Sequence, residues 1–236
     1  MKYQEASVTP GSRYLAVLYR LVDVLETRLA EYYDPREVLV DETSVSLENV
    51  MRGDRVRLII YNIGEEGVID EYQLKDAGTS IVIEARGTSY TGIGYEDLLE
   101  IISRAPFRLD KDLIRSLAIN TSRSGIEYML LYTESGLNLR LEGEHLRVRI
   151  PFVKTIASIH THPEGACGLS KADLASGLDL LVEGGVLEAS ATPTCGFLMY
   201  RRGFIDEDDY IAVKTWRGEV LRDVALKSIV FKRIYY

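Results

Sequence analysis

The chain has 236 residues, 46% of them hydrophobic and 27% charged, with a formal net charge of −8. That is the composition of a soluble globular protein with apolar material for one large domain or two small ones. The acidic balance argues against nucleic acid as the main partner, because phosphate binding needs a basic footprint. No apolar run approaches the roughly 18 residues of a membrane helix, and the opening MKYQEASVTP carries a glutamate and no apolar stretch of a signal peptide. A cytoplasmic location with no membrane contact is the expectation. The two cysteines, Cys167 and Cys195, are too few for a disulfide scaffold and lack zinc-ribbon spacing. Two free thiols are expected, with a single bridge between them as the alternative.

In chain order, residues 12–33 read as an amphipathic helix capped by Ser12, with Leu15, Leu18, Val22, Leu25 and Leu29 at three- and four-residue steps. Residues 36–86 change character: RVRLIIYNI and TSIVIEA read as strands, separated by turn chemistry at Arg52-Gly53-Asp54 and Gly64 to Gly67. The glycine-rich GTSYTGIGYED suggests a boundary near residue 90. It divides a small α+β domain (1–90) from a second domain (91–236). Tyr95 to Ser103 and Asp110 to Ser122 then read as helices. IEYMLLY (126–132) is apolar enough for a strand buried on both faces. LNLRL and HLRVRI form a predicted hairpin around Glu142-Gly143-Glu144, with His145 exposed on it. VKTIASIHTH is a strand ended by Pro163, Ser170 to Val182 a helix stopped by Gly184-Gly185, GFLMYRR a strand, and YIAVKTW a further strand before a tail of undetermined type.

The chemistry concentrates in HTHPEGACGLSKAD, residues 160–173, which holds two of the three histidines. Strand alternation puts His160 and His162 on one face and Thr161 on the other. Asp173 falls in the first turn of the following helix, and the intervening glycines let that helix fold back. Two imidazoles and one carboxylate match the ligand set of a catalytic zinc, which keeps a fourth position for water. Read alone, Ser170-x-x-Asp173 is also a capping box.

The joint pattern, His160-Thr161-His162-Pro163, six residues, then Ser170-x-x-Asp173, resembles the JAMM, or MPN-plus, metalloproteases. The loop Ala166-Cys167-Gly168-Leu169-Ser170 is similar to that of the proteasome-lid deubiquitinases, with Gly168 where they have tryptophan. The likeness covers roughly residues 107 to 200 and leaves the first 90 outside it. It implies a mixed α/β (α+β) fold: a cytidine-deaminase-like sheet with flanking helices, preceded here by the small α+β domain. It also implies one catalytic Zn2+ on His160, His162 and Asp173, an upstream glutamate as general base, and Ser170 as oxyanion donor. Glu127, at the head of the apolar strand, is the choice of base, since a carboxylate there needs a partner. Glu134, Glu142 and Glu144 lie in predicted turns. Leu130 departs from the glycine the family has three residues after its glutamate.

The implied activity is hydrolysis of an amide or isopeptide bond, removing or trimming a ubiquitin-like modifier. The alternatives are a zinc amidohydrolase acting on a small peptide or sulfur-carrier substrate, and a catalytically silent MPN scaffold. The closing Ile234-Tyr235-Tyr236 also fits the hydrophobic-Tyr-any pattern with which activators dock onto the proteasome core, but a plain strand end or frayed tail is the preferred reading.

Overall fold

The computed structural model describes residues 2–143, 153–165, 167–216 and 226–236. The first part of the chain forms β1 (Lys2–Ser7), α1 (Pro10–Val24), β2 (Leu39–Val40), α2 (Leu47–Met51), β3 (Arg55–Tyr61), β4 (Gly67–Leu74) and β5 (Thr79–Ala85). Two helices follow, α3 (Tyr95–Leu109) and α4 (Lys111–Ser124), then β6 (Tyr128–Thr133), β7 (Asn138–Glu142) and β8 (Thr155–Thr161). The remainder is α5 (Lys171–Val182), β9 (Leu187–Ala191), β10 (Cys195–Arg201), α6 (Glu207–Thr215) and β11 (Ile229–Tyr235). The fold is therefore mixed α/β, with two mostly antiparallel sheets and six α-helices among the described residues. No helix among them is long and apolar enough to cross a membrane.

The larger sheet has the order β1-β7-β6-β8-β9-β10-β11 and the smaller one β2-β3-β5-β4. Within the larger sheet β8 and β9 are parallel, joined by α5, and the other neighbours are antiparallel. Helix α4 packs on one face, where Thr121 and Thr161 share a hydroxyl hydrogen bond of 2.5 Å. On the opposite face α5 lays Leu174, Leu178 and Leu181 against Met199 of β10.

Several elements differ from the sequence expectation. The first helix is capped by Thr9, immediately before Pro10, and a π turn (Leu25–Leu29) follows it. Ser12 instead donates to Gly136 O at 2.7 Å. Leu15, Ala16, Val17, Leu18, Leu21 and Val22 are all fully buried, because α1 lies between β6 on one side and β4 and α2 on the other. A helix packed on most of its sides keeps only a narrow solvent edge, here Arg13, Arg20 and Asp23, so its apolar positions exceed one stripe. Strand β7 has β6 on one edge and β1 on the other; the predicted hairpin partner 145–150, with His145, lies outside the described residues. YIAVKTW belongs to α6, not to a strand: Asp206 caps the helix, and Asp209 and Val213, four residues apart, turn inward.

The tail is β11, paired with β10 along its length. Ile234 and Tyr235 stand opposite Gly196 and Cys195, and the Tyr236 ring stacks on Phe107 at 6.3 Å. Docking of this tail into another particle would first require unpairing it.

The segment before residue 90 does not stand apart. Strand β1 completes the larger sheet beside β7, and one apolar core contains α1, both sheets and α3. Two buried polar clasps cross the same junction. Asp110, between α3 and α4, accepts from Thr9 Oγ1 (2.6 Å), Gly11 N (3.0 Å) and Tyr132 OH (3.1 Å). Arg201, 2% exposed, pairs with Glu26 and donates to Gly185 O at 2.7 Å, while Tyr95 OH donates to Glu26.

Candidate metal centre

The β8–α5–β9 unit builds the site. A helix that connects two parallel strands runs back against them, so its N-terminus returns to their carboxyl ends, where open α/β sheets place ligands. Here that end carries His160 and His162, and the first turn of α5 carries Asp173. His160 Nε2 is 3.3 Å and His162 Nε2 is 3.6 Å from Asp173 Oδ2. The three donor atoms lie within 4.8 Å of one another, and the rings stand 4.6 Å apart, tilted by 58°.

His160 Nε2 is buried and makes no hydrogen bond of acceptable geometry, despite its approach to Asp173. An orphaned ring nitrogen facing a second imidazole and a carboxylate oxygen suits a divalent ion, and this donor set can hold one. Carboxylates concentrate negative charge around the rings. Burial opposes charge on His160, but the flanking carboxylates of Asp173 and Glu188 outweigh it and push the ring up to about 10. Burial would raise Asp173, yet His160 and the Ser170 hydrogen bonds hold it below the ordinary carboxylate range.

Ser170 and Asp173 form a reciprocal capping box: Asp173 N donates to Ser170 Oγ (3.2 Å) and Ser170 N donates to Asp173 Oδ2 (2.6 Å). The cap and the metal reading therefore do not compete. The box aims at the histidines the same oxygen that it holds. The loop before it is tied down on several sides. Glu164 N donates to Ser122 Oγ (3.0 Å), Ser190 Oγ to Gly168 O (2.8 Å) and Arg233 to Cys167 O (3.2 Å). Cys167 and Cys195 are joined in a disulfide rather than free. The expectation of thiols fails because β10 begins beside the end of β9, under the returning loop, and brings the two Cα atoms to 6.2 Å across 28 residues of sequence.

Among the candidate bases, Glu134 sits beyond the far end of β6, bonded to Lys154 at 2.9 Å. Glu142 pairs with Tyr128, which alternation places on the sheet face away from His160. Glu144 lies outside the described residues. Met129 stands opposite His160, and two more steps along that register set Glu127 opposite His162. The carbonyl of Glu127 accepts from Gly143 N at 2.8 Å, but its side chain is exposed. Burial, the reason for choosing it from sequence, does not hold; the register is what recommends it.

The sequence reading passed over Glu188. This residue of β9 is 3% exposed, and its Oε1 lies 3.1 Å from His160 Nδ1. Burial raises its carboxyl, only partly offset by His160 and Ser158. A signal was available: Glu188 is the lone charge in VLEASAT, an apolar run between Gly185 and a proline turn.

No family model, curated protein or solved structure matches the chain.

Proposed function

We propose that the chain is a zinc-dependent hydrolase of amide or isopeptide bonds, with conjugates of ubiquitin-like modifiers as its substrate class. The observation that carries this reading is the convergence of His160 Nε2, His162 Nε2 and Asp173 Oδ2 beside an N-cap serine. Zinc bound there would supply a Lewis acid for the scissile carbonyl and an acidified water. Glu127 then takes a proton from the attacking water and returns it to the leaving amine. The Ser170 hydroxyl donates to the oxyanion as the carbonyl becomes tetrahedral. The substrate class rests on the motif resemblance.

The test is zinc content after zinc-replete expression, followed by cleavage of a modifier–lysine isopeptide conjugate. Wild type should carry one zinc per chain and cleave. Glu127→Gln should keep the zinc and lose about 10²–10⁴-fold in rate, the range for a general base. A zinc-free wild type, or a zinc-bearing one that cleaves no amide, overturns the proposal. Activity lost in Glu134→Gln but kept in Glu127→Gln would move the base.

A further inference from the structure

The centre of β9 is a poor place for a carboxylate. Glu188 is 3% exposed beneath α5, and the neighbouring α5 positions contribute Leu174 and Leu178 to an apolar cluster with Met199. Methionine or leucine at 188 would fill similar space without a charge to desolvate. Helix α5 crosses Glu188 at Gly177. A Cβ on Gly177 would lie 2.5 Å from Glu188 Cγ and 2.4 Å from Met199 Cε, so only glycine permits this approach. Gly177 is one turn beyond Asp173 on the same helix. The contact that seats α5 on Glu188 therefore also sets the height of Asp173 above His160.

We propose that Glu188 is the positioning residue of the metal centre: it holds the Nδ1–H of His160 so that Nε2 is presented to the ion. The inference rests on reading the site as a metal centre. Its geometry comes from the two ends of one ring. Nδ1 is 3.1 Å from Glu188 Oε1, and Nε2 is 3.3 Å from Asp173 Oδ2. An Nε2 that binds a metal carries no proton, so the neutral ring keeps its proton on Nδ1, facing Glu188, and a ring flip would break that pair. Ser158 stands opposite Glu188 in the parallel register and acts to lower the same carboxyl. Glu188 touches neither substrate nor reacting atoms and acts only through His160.

The experiment compares wild type with Glu188→Met and Glu188→Gln. In metal-free protein, the His160 Nδ1 proton should give a downfield, slowly exchanging NMR resonance. His160→Ala assigns it among the three histidines. That resonance should persist in Glu188→Gln, which keeps an acceptor oxygen, and vanish in Glu188→Met. Zinc affinity, read by competition with a chromophoric chelator, should fall about 10–100-fold in Glu188→Met and recover most of that loss in Glu188→Gln. A protected Nδ1 proton together with wild-type zinc affinity in Glu188→Met overturns the proposal. Should Glu188→Met fail to fold by circular dichroism, Ser158→Ala decides: an upfield shift of the resonance supports the role, and an unmoved one overturns it. If wild type binds no zinc, the hydrolase reading falls while the Nδ1 resonance still reports on Glu188.

Discussion

Ser170 accepts the Asp173 amide through its hydroxyl oxygen, which leaves the hydroxyl proton unused by the cap. Capping and oxyanion donation can be separated by substitution. Ser170→Ala should cost about 1 kcal/mol of stability and Ser170→Gly only a few tenths, because glycine is tolerated at N-cap. Both should lose about 100-fold in kcat, the cost of one oxyanion donor. Equal stability losses with unequal rates would refute that separation; urea denaturation and steady-state rates measure the two quantities. Two glutamates carry the other lesson at this scale. A carboxylate in an apolar strand does need a partner, but the rule applies to Glu188, whose partner is His160. Glu127 stands at a strand end in solvent. Sequence position could not tell the two apart, since depth depends on which strands flank the residue: β8 and β10 enclose β9 along its length.

Among the elements, the loop before α5 and the start of β11 each gain a covalent or charged tie from another part of the chain. The Cys167–Cys195 bridge spans 28 residues, so reduction, or Cys195→Ser, should lower stability by about 3 kcal/mol through the freed denatured chain. A denaturant midpoint indifferent to reductant would rule the bridge out. Asp209 of α6 ties down the start of β11, its Oδ2 accepting from Lys227 N (2.8 Å), Ser228 N (2.6 Å) and Ser228 Oγ (2.7 Å). Burial acts to raise this carboxyl, but these donors outweigh it and hold it below its ordinary 3.8. A folded-state pKa depressed in this way contributes stability that is fully present above about 4 and lost as pH falls through the lower folded value. Asp209→Asn should therefore be less stable than wild type at pH 7, and the gap should shrink towards pH 2. A gap that stays constant with pH would contradict the ionised staple. The same residue explains why YIAVKTW misleads as a strand. Its short apolar alternation fits either period, and the inward pair Asp209–Val213 begins one residue before that stretch.

For the molecule as a whole, the boundary near 90 marks the link between β5 and α3 but not a seam in the core. β1 belongs to the sheet of the later residues, α1 fills the space between the sheets, and the Asp110 and Arg201 clasps join the halves. Unfolding should be a single cooperative transition, and a fragment of residues 91–236 should fail to reach native near-ultraviolet circular dichroism. A folded, zinc-binding fragment would show that the halves are independent. Breaking the buried pair with Glu26→Ala should cost about 3–5 kcal/mol, because Arg201 is left charged and enclosed.

The sequence alone picked out the candidate metal ligands, His160, His162 and Asp173, and the cap that carries the last of them. They fall within fourteen residues, where strand alternation and helix start rules act locally. It also indicated α4, β6, β8, α5 and β10 from their apolar periods. Only the tertiary structure decided what sits behind and around those ligands. Glu188 against His160, the Cys167–Cys195 bridge, β1 beside β7 and the burial of most of α1 each join residues that are distant in the chain. Such contacts follow from strand order and layer stacking, which no local pattern encodes.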